Sequence, residues 1–172
     1  IVQTLLKFRQ SLEMIKFSHT IFALPFALAS MLVAAEGLPS LQTVVLLVLA
    51  MVTARSAGMS FNRFIDASLD EKNLRTASRH IPAGILSRRF VLLFSLVSGS
   101  LFVIFCFLIN HVCFLLSPLA LGILILYSFT KRWTDWSHLV LGLALGISPP
   151  AAWIAVTGTL SLEPVLLGLA VL

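Results

Sequence analysis

The chain has 172 residues, of which 59% are hydrophobic and 11% are charged. Soluble domains contain roughly 45–50% apolar and about 25% charged residues, so this composition excludes a water-soluble globular fold. The net charge of +5 comes from basic residues beside apolar segments, which indicates membrane orientation and no nucleic-acid partner. Two cysteines, Cys106 and Cys113, form neither a disulfide framework nor a metal-ligand spacing.

Five charge-poor runs approach the roughly 20 residues that a helix needs to cross a bilayer. They are residues 17–35, 41–61 with Arg55 inside, 90–109, 112–130 and 138–156. A sixth apolar run starts near Leu162, and the sequence stops at Leu172. We expect an all-α integral membrane protein, a multi-span helical bundle in one domain over residues 1–172. It would have about five complete spans and a truncated sixth.

The basic residues alternate along the chain. All twelve Lys and Arg side chains lie before the first span, around the connection between the second and third, or between the fourth and fifth. Because cytoplasmic loops are enriched in Lys and Arg, we expect these segments and the N-terminus to face the cytoplasm of a bacterial inner membrane. Residues 62–89 form the longest polar connection and the predicted cytoplasmic catalytic region.

A row of polar residues continues the second span. At 100° per residue, Asn62, Asp66 and Asp70 all fall within about 60° of Arg55 on one helical stripe. Two carboxylates and an amide oxygen at one-turn intervals are hard oxygen donors. Mg²⁺ prefers such oxygens and is commonly shared between one or two carboxylates and phosphate oxygens of a substrate. By its spacing alone, the row is compatible with a metal site at the membrane face.

The alternative for the acids is a solvated helix end, on which they pair with Arg63, Lys72 and Arg75. Arg75 and Arg79 follow the acids directly and precede a Pro/Gly break. The fork of a guanidinium suits phosphate oxygens. Acids for a divalent metal followed by arginines for anionic charge therefore predict a diphosphate site.

The string from Asn62 to Gly84 reads Asn-x3-Asp-x3-Asp, then Arg-Thr, Arg, Pro and Gly. It resembles the first aspartate-rich motif and its loop in the UbiA-type intramembrane aromatic prenyltransferases. The resemblance extends to residues 19–27 (His-Thr-Ile-Phe-Ala-Leu-Pro-Phe-Ala) and 127–134 (Tyr-Ser-Phe-Thr-Lys-Arg-Trp-Thr). It implies a bundle of nine spans around a central cavity that opens to lipid.

The resemblance also implies an activity, namely Mg²⁺-dependent transfer of a polyprenyl group from a polyprenyl diphosphate to an aromatic acid. This is the reaction of the 4-hydroxybenzoate polyprenyltransferases of ubiquinone synthesis. The implied catalytic and metal ligands are Asn62, Asp66 and Asp70. The implied anion-binding side chains are Arg75, Arg79 and Lys131.

Two departures from the family pattern stand out. Many members have Asn-Asp where this chain has Asn62-Arg63, and the Arg form is associated with a branch that uses a dihydroxynaphthoate in a menaquinone route. The second aspartate-rich motif of the family is absent through Leu172. We expect the chain to be a fragment that carries one half of the metal site.

Arg55 is the most informative residue within a span. An arginine inside a membrane helix costs at least about 2.5–3.5 kcal/mol on insertion scales, so such residues are functional candidates. We expect Arg55 to face the cavity and to bind substrate, either pairing with Asp66 or meeting the carboxylate of the acceptor. The alternative is that its side chain extends to the cytoplasmic interface.

Two competing functions remain open at the sequence level. The CDP-alcohol phosphotransferases also place Ala-Arg before an Asp-x3-Asp pair, but their pattern requires Asp-Gly before Ala-Arg, where this chain has Met51-Val52. A small transporter or a structural membrane subunit would explain the spans and the charge bias. It would make Asp66 and Asp70 a gate or a partner contact.

Overall fold

The computed structural model describes residues 9–15, 23–130 and 137–171, and within these ranges the chain forms helices and turns without β-strands. The helices are α1 (residues 9–14), α2 (Leu24–Ala34), α3 (Leu41–Asp70), α4 (Arg88–Ile109), α5 (His111–Thr130), α6 (Ser137–Gly146), α7 (Ser148–Thr157) and α8 (Leu162–Val171).

Four described segments are apolar and long enough to cross a bilayer. They are α3, α4, α5 and Leu139–Thr157, which spans α6 and α7. The predicted all-helical membrane bundle is therefore confirmed. The first predicted span begins outside the described residues, and its described part is the 11-residue helix α2.

The second predicted span is longer than its apolar run. Helix α3 continues nine residues beyond Phe61 and ends at Asp70, because its last two turns have polar residues along one side and no Pro or Gly to end them. Serine side chains cap the N-terminal ends of α3 and α4. Ser40 Oγ accepts from Thr43 N at 3.1 Å, and Ser87 Oγ accepts from Phe90 N at 3.2 Å.

The fifth predicted span is divided at Ile147, where α6 ends and α7 begins with Pro149 and Pro150. A proline has no N–H to donate to the carbonyl four residues before it. The orphaned Leu145 carbonyl instead accepts from Ser148 Oγ at 2.8 Å. Pro118 inside α5 is accommodated in the same way, since Ser117 Oγ donates to the Phe114 carbonyl at 2.8 Å.

Packing between helices depends on small and hydroxyl-bearing residues, as is common where helices meet inside membranes. Ser95 of α4 donates to the Ala57 carbonyl of α3 at 2.9 Å. Ser30 of α2 donates to the Pro149 carbonyl of α7 at 2.7 Å. Helices α6 and α8 approach so closely that a Cβ on Gly146 would lie 2.6 Å from the Gly168 carbonyl oxygen.

Candidate active site at the end of helix α3

The predicted polar row lies on one continuous helix. Because α3 is unbroken from Leu41 to Asp70, Asn62, Asp66 and Asp70 follow one another at one-turn intervals of about 6 Å along its axis. Asn62 and Asp70 are buried, and Asp66 is half-buried. The two acids are therefore less exposed than a solvated helix end would leave them.

An apolar cavity of about 510 Å³ begins beside this row. Its walls come mainly from α3 to α7, with Val165 of α8, and consist mainly of Leu, Ile, Ala, Met and Phe side chains. Arg55, Asn62 and Tyr127 also line the cavity. Along α3 the lining extends from Leu47 to Asn62, a rise of about 22 Å. The cavity is therefore long and mainly apolar. Its polar end lies nearest the two aspartates.

Arg55 faces this cavity, as the sequence predicted, and is half-buried. Its Nε is inaccessible to solvent and has no hydrogen-bond partner among the described residues. Its predicted alternative pairing with Asp66 is wrong, because eleven residues of continuous helix separate the two by about 16 Å along the axis. A buried guanidinium nitrogen without a partner is costly, which makes it a candidate for binding an anionic group.

Asp70 forms an ion pair with Arg79. Nη1 of Arg79 donates to both carboxylate oxygens of Asp70, at 2.7 and 2.8 Å. The side chain of Asp70 is 9% exposed and that of Arg79 is 34% exposed. The sequence predicted both residues as site residues and named Arg63, Lys72 and Arg75 as possible partners of the acids, but it did not predict this pair.

The loop after α3 folds back over the end of the helix. Thr76 Oγ1 donates to the Asp70 carbonyl at 3.1 Å, and Arg79 N donates to the Thr76 carbonyl at 3.0 Å. Gly84, with φ of +71°, allows the left-handed turn that leads toward α4. Backbone and side-chain contacts thus bring Arg79 from nine residues downstream onto Asp70.

Helix α1 packs under the same loop. Met14 and Ile15 are buried against Leu86 and Val91, with Ile81 beside them. At the edge of this cluster, His80 Nε2 lies 4.0 Å from Glu13 Oε2. The loop is therefore held on two sides, by the end of α3 and by the apolar face of α1.

The remaining predicted residues are less closely associated with the site. The side chain of Arg75 is exposed, and its backbone N–H donates to Asn73 Oδ1 at 3.0 Å. Lys131 lies outside the described residues. Within the described part of the chain, no group of three or more His, Cys, Asp or Glu side chains could hold a metal ion by itself.

Two further residues lie at the site, of which the sequence analysis named Arg63 only as a possible partner of the acids and did not name Thr76. Arg63 lies within electrostatic range of Asp66, Asp70, Arg79 and Tyr127. Its spacing of three and seven residues from the acids is the signal that could have placed it on their face. Thr76 is buried and fixes the loop, but a single threonine in a polar segment gives no such signal.

A sequence profile of the UbiA prenyltransferase family matches residues 23–172. The chain belongs to this family. Among curated UbiA relatives, the 4-hydroxybenzoate octaprenyltransferase of Vibrio cholerae is 38% identical over 133 residues, which cover 77% of this chain and 46% of the relative. The enzyme of the same name from Actinobacillus pleuropneumoniae is 34% identical over 159 residues, which cover 92% of this chain and 54% of the relative. The chain spans about half the length of these relatives.

Solved structures of UbiA proteins share the fold. The apo structure of a UbiA homologue from Aeropyrum pernix has a TM-score of 0.77 and 34% identity, covering 88% of this chain and 55% of that one. A UbiA homologue from Archaeoglobus fulgidus, solved bound to DMAPP and Mg²⁺, has a TM-score of 0.73 and 21% identity, covering 87% of this chain and 55% of that one. At 21% identity, the similarity to the Archaeoglobus fulgidus protein supports a shared fold only.

Proposed function

We propose that the whole protein transfers a polyprenyl group from a polyprenyl diphosphate to an aromatic acid, in a Mg²⁺-dependent reaction of ubiquinone or menaquinone synthesis. The observation that carries this proposal is the row of Asn62, Asp66 and Asp70 at the polar end of an apolar cavity. The names of the curated relatives and the family membership of the chain support the same reaction class.

The donor set fits a divalent metal shared with a diphosphate. Asn62 supplies an amide oxygen, and Asp66 and Asp70 supply carboxylates from the same helical face. These hard oxygens suit Mg²⁺, and two carboxylates leave positions for phosphate oxygens. When bound, Mg²⁺ would supply positive charge that stabilises the departing diphosphate.

The chain's own cations add to that stabilisation. Arg79 contacts Asp70, and Arg75 is exposed on the same loop. Both would bind phosphate oxygens of the prenyl donor, together with Lys131. The carbon–oxygen bond of the donor breaks with its electron pair going to the diphosphate, so fixed cations at that end lower the barrier.

The apolar cavity would hold the prenyl chain. Departure of the diphosphate leaves an allylic cation on the prenyl chain. The electron-rich ring carbon of the acceptor attacks this cation, and the ring then loses a proton. The walls are mainly apolar and offer water few hydrogen-bond partners, so capture of the cation by water is disfavoured.

Arg55 would orient the acceptor. Its guanidinium lies on the cavity wall about 10 Å deeper along α3 than Asn62, and its buried Nε has no partner among the described residues. A carboxylate on the acceptor would supply that partner and would be held by charge-assisted hydrogen bonds. Both candidate acceptors, 4-hydroxybenzoate and a dihydroxynaphthoate, carry such a group.

The test is a transfer assay on membranes that contain the whole protein. Mg²⁺ and a radiolabelled polyprenyl diphosphate are supplied with 4-hydroxybenzoate or with a dihydroxynaphthoate. We expect a prenylated product with one of the two acids and none when the carboxylate is replaced by a methyl ester. Failure to prenylate either acid would overturn the proposed function and favour a transporter or a structural subunit.

A further inference from the structure

The ion pair between Asp70 and Arg79 carries an inference about the order in which the site is loaded. One guanidinium nitrogen contacts both carboxylate oxygens of Asp70, and the carboxylate is largely buried. A metal ion that binds these oxygens must therefore compete with Arg79 for Asp70. Displacement without a new partner would leave Arg79 without its strongest contact.

We propose that Arg79 pairs with Asp70 and neutralises its carboxylate until a diphosphate arrives. The diphosphate then takes over the guanidinium and frees the Asp70 carboxylate for the metal. The inference rests on the proposed function, in which Asp70 is a metal ligand and Arg79 binds the diphosphate. It adds that the ion pair between Asp70 and Arg79 opposes both roles until the ligands arrive.

The structure of the loop permits such an exchange. Arg79 is about one-third exposed, so its guanidinium is accessible from the solvent side of the loop. Thr76 Oγ1 holds the loop through the backbone carbonyl of Asp70, a contact that does not involve the carboxylate. The loop can therefore stay in place while the side chains of Asp70 and Arg79 change partners.

The exchange predicts cooperativity between metal and diphosphate beyond their direct contact. A metal ion alone must compete with Arg79 for Asp70, whereas a diphosphate removes the competitor. By linkage, each ligand raises the affinity for the other by the same factor. Removing Arg79 should consequently tighten the binding of a metal ion alone, although it weakens the binding of the diphosphate.

Arg75 provides a matched control. It lies on the same loop, carries the same charge and is a proposed diphosphate ligand, but its exposed side chain makes no hydrogen bond or ion pair with the described residues. Arg75→Gln therefore removes one nearby positive charge without freeing Asp70.

The experiment titrates Mn²⁺ alone into the detergent-solubilised whole protein, with bound metal followed by electron paramagnetic resonance. Arg79→Gln should bind Mn²⁺ about fivefold or more tightly than wild type, whereas Arg75→Gln should change the affinity less than twofold. Affinity for geranyl diphosphate at saturating Mn²⁺ should fall in both variants. Equal Mn²⁺ affinity in wild type and Arg79→Gln, or an equal gain in both variants, would overturn the inference.

Two further variants distinguish an effect on Asp70 from misfolding, and the outcomes distinguish failure of the inference from failure of the proposed function. Arg79→Lys keeps the charge near Asp70 and should give a smaller gain in Mn²⁺ affinity than Arg79→Gln. Adding Asp70→Asn to Arg79→Gln removes the unpaired carboxylate and should abolish the gain. If wild-type protein bound no Mn²⁺ even with diphosphate, the proposed function would fail. If transfer proceeded but Arg79→Gln did not tighten Mn²⁺ binding, only the inference would fail.

Discussion

Arg55 shows what a single residue contributes to the proposed specificity. It sits in the wall of the apolar cavity, although an arginine inside a span is costly to insert, and its Nε is buried without a partner among the described residues. The sequence predicted its cavity-facing position from that cost. The continuous helix that puts Arg55 and Asp66 on one stripe also separates them by about 16 Å along its axis, so the sequence alone could have excluded the pairing with Asp66.

We expect Arg55→Ala in the whole protein to raise the KM for the aromatic acid about 10- to 100-fold. This factor corresponds to the loss of about 1.5–3 kcal/mol from charge-assisted hydrogen bonds. The KM for the prenyl diphosphate should stay near that of wild type. Arg55 lies about 10 Å along the helix axis from Asn62, which is the nearest of the three proposed ligands of the metal and diphosphate.

Steady-state kinetics with each substrate varied in turn measures this difference. Arg55→Lys is the matched control, since it keeps a cation on the cavity wall and should recover part of the affinity for the acid. An unchanged KM for the acid in Arg55→Ala would contradict the assignment of the acceptor to Arg55.

Among the helices, the elements that were predicted best are those with long apolar runs. The predicted starts of α4 and α5 and the predicted end of α4 agree with the structure to within two residues, because Asn110, which interrupts the apolar run, also ends α4. Helix α3 is the exception, since its amphipathic last two turns extend past the membrane-type sequence. The division of the fifth span follows from Pro149 and Pro150, which have no N–H to continue the hydrogen bonds of α6.

The contact between α6 and α8 gives a prediction about helix packing. A Cβ on Gly146 would lie 2.6 Å from the backbone oxygen of Gly168, which cannot move without shifting α8. We expect Gly146→Ala to lower the stability of the whole protein by about 1–3 kcal/mol through overpacking. Thermal unfolding in detergent would show this as a lower Tm.

Gly122 of α5 is the control for this substitution, because a Cβ there would meet no atom within 4 Å. Gly122→Ala should leave the Tm unchanged or raise it slightly, since alanine favours the helix. Equal Tm values for wild type and Gly146→Ala would show that α6 and α8 do not approach as closely as described.

At the scale of the whole molecule, composition was enough to predict the membrane bundle, and residue spacing was enough to place Asn62, Asp66 and Asp70 on one face of a helix. The pairing of Asp70 with Arg79 could not be predicted, because it depends on how the loop after α3 turns back over the helix end. The residues that line the cavity could not be predicted from the sequence either, because the same apolar residue types face lipid and face a cavity.

The distribution of basic residues predicts that the loop between α3 and α4 faces the cytoplasm. After replacement of Cys106 and Cys113 by Ala, a Ser78→Cys variant should react with a membrane-impermeant maleimide in inside-out vesicles only. The matched variant Ser40→Cys, at the opposite end of α3, should react in right-side-out vesicles only. The reverse pattern would contradict the proposed orientation.

The central claim is that the row of oxygen donors on α3 binds Mg²⁺ and the diphosphate for prenyl transfer. The most direct measurement is the Mg²⁺ dependence of transfer by the whole protein carrying Asp66→Asn, Asp70→Asn or the control Glu71→Gln, which changes an exposed neighbouring carboxylate. We predict that transfer requires Mg²⁺, that each aspartate variant loses at least about 100-fold in kcat/KM, equivalent to about 2.7 kcal/mol, and that Glu71→Gln retains wild-type activity. Undiminished transfer by the aspartate variants, or by wild-type protein stripped of divalent metal, would contradict the claim.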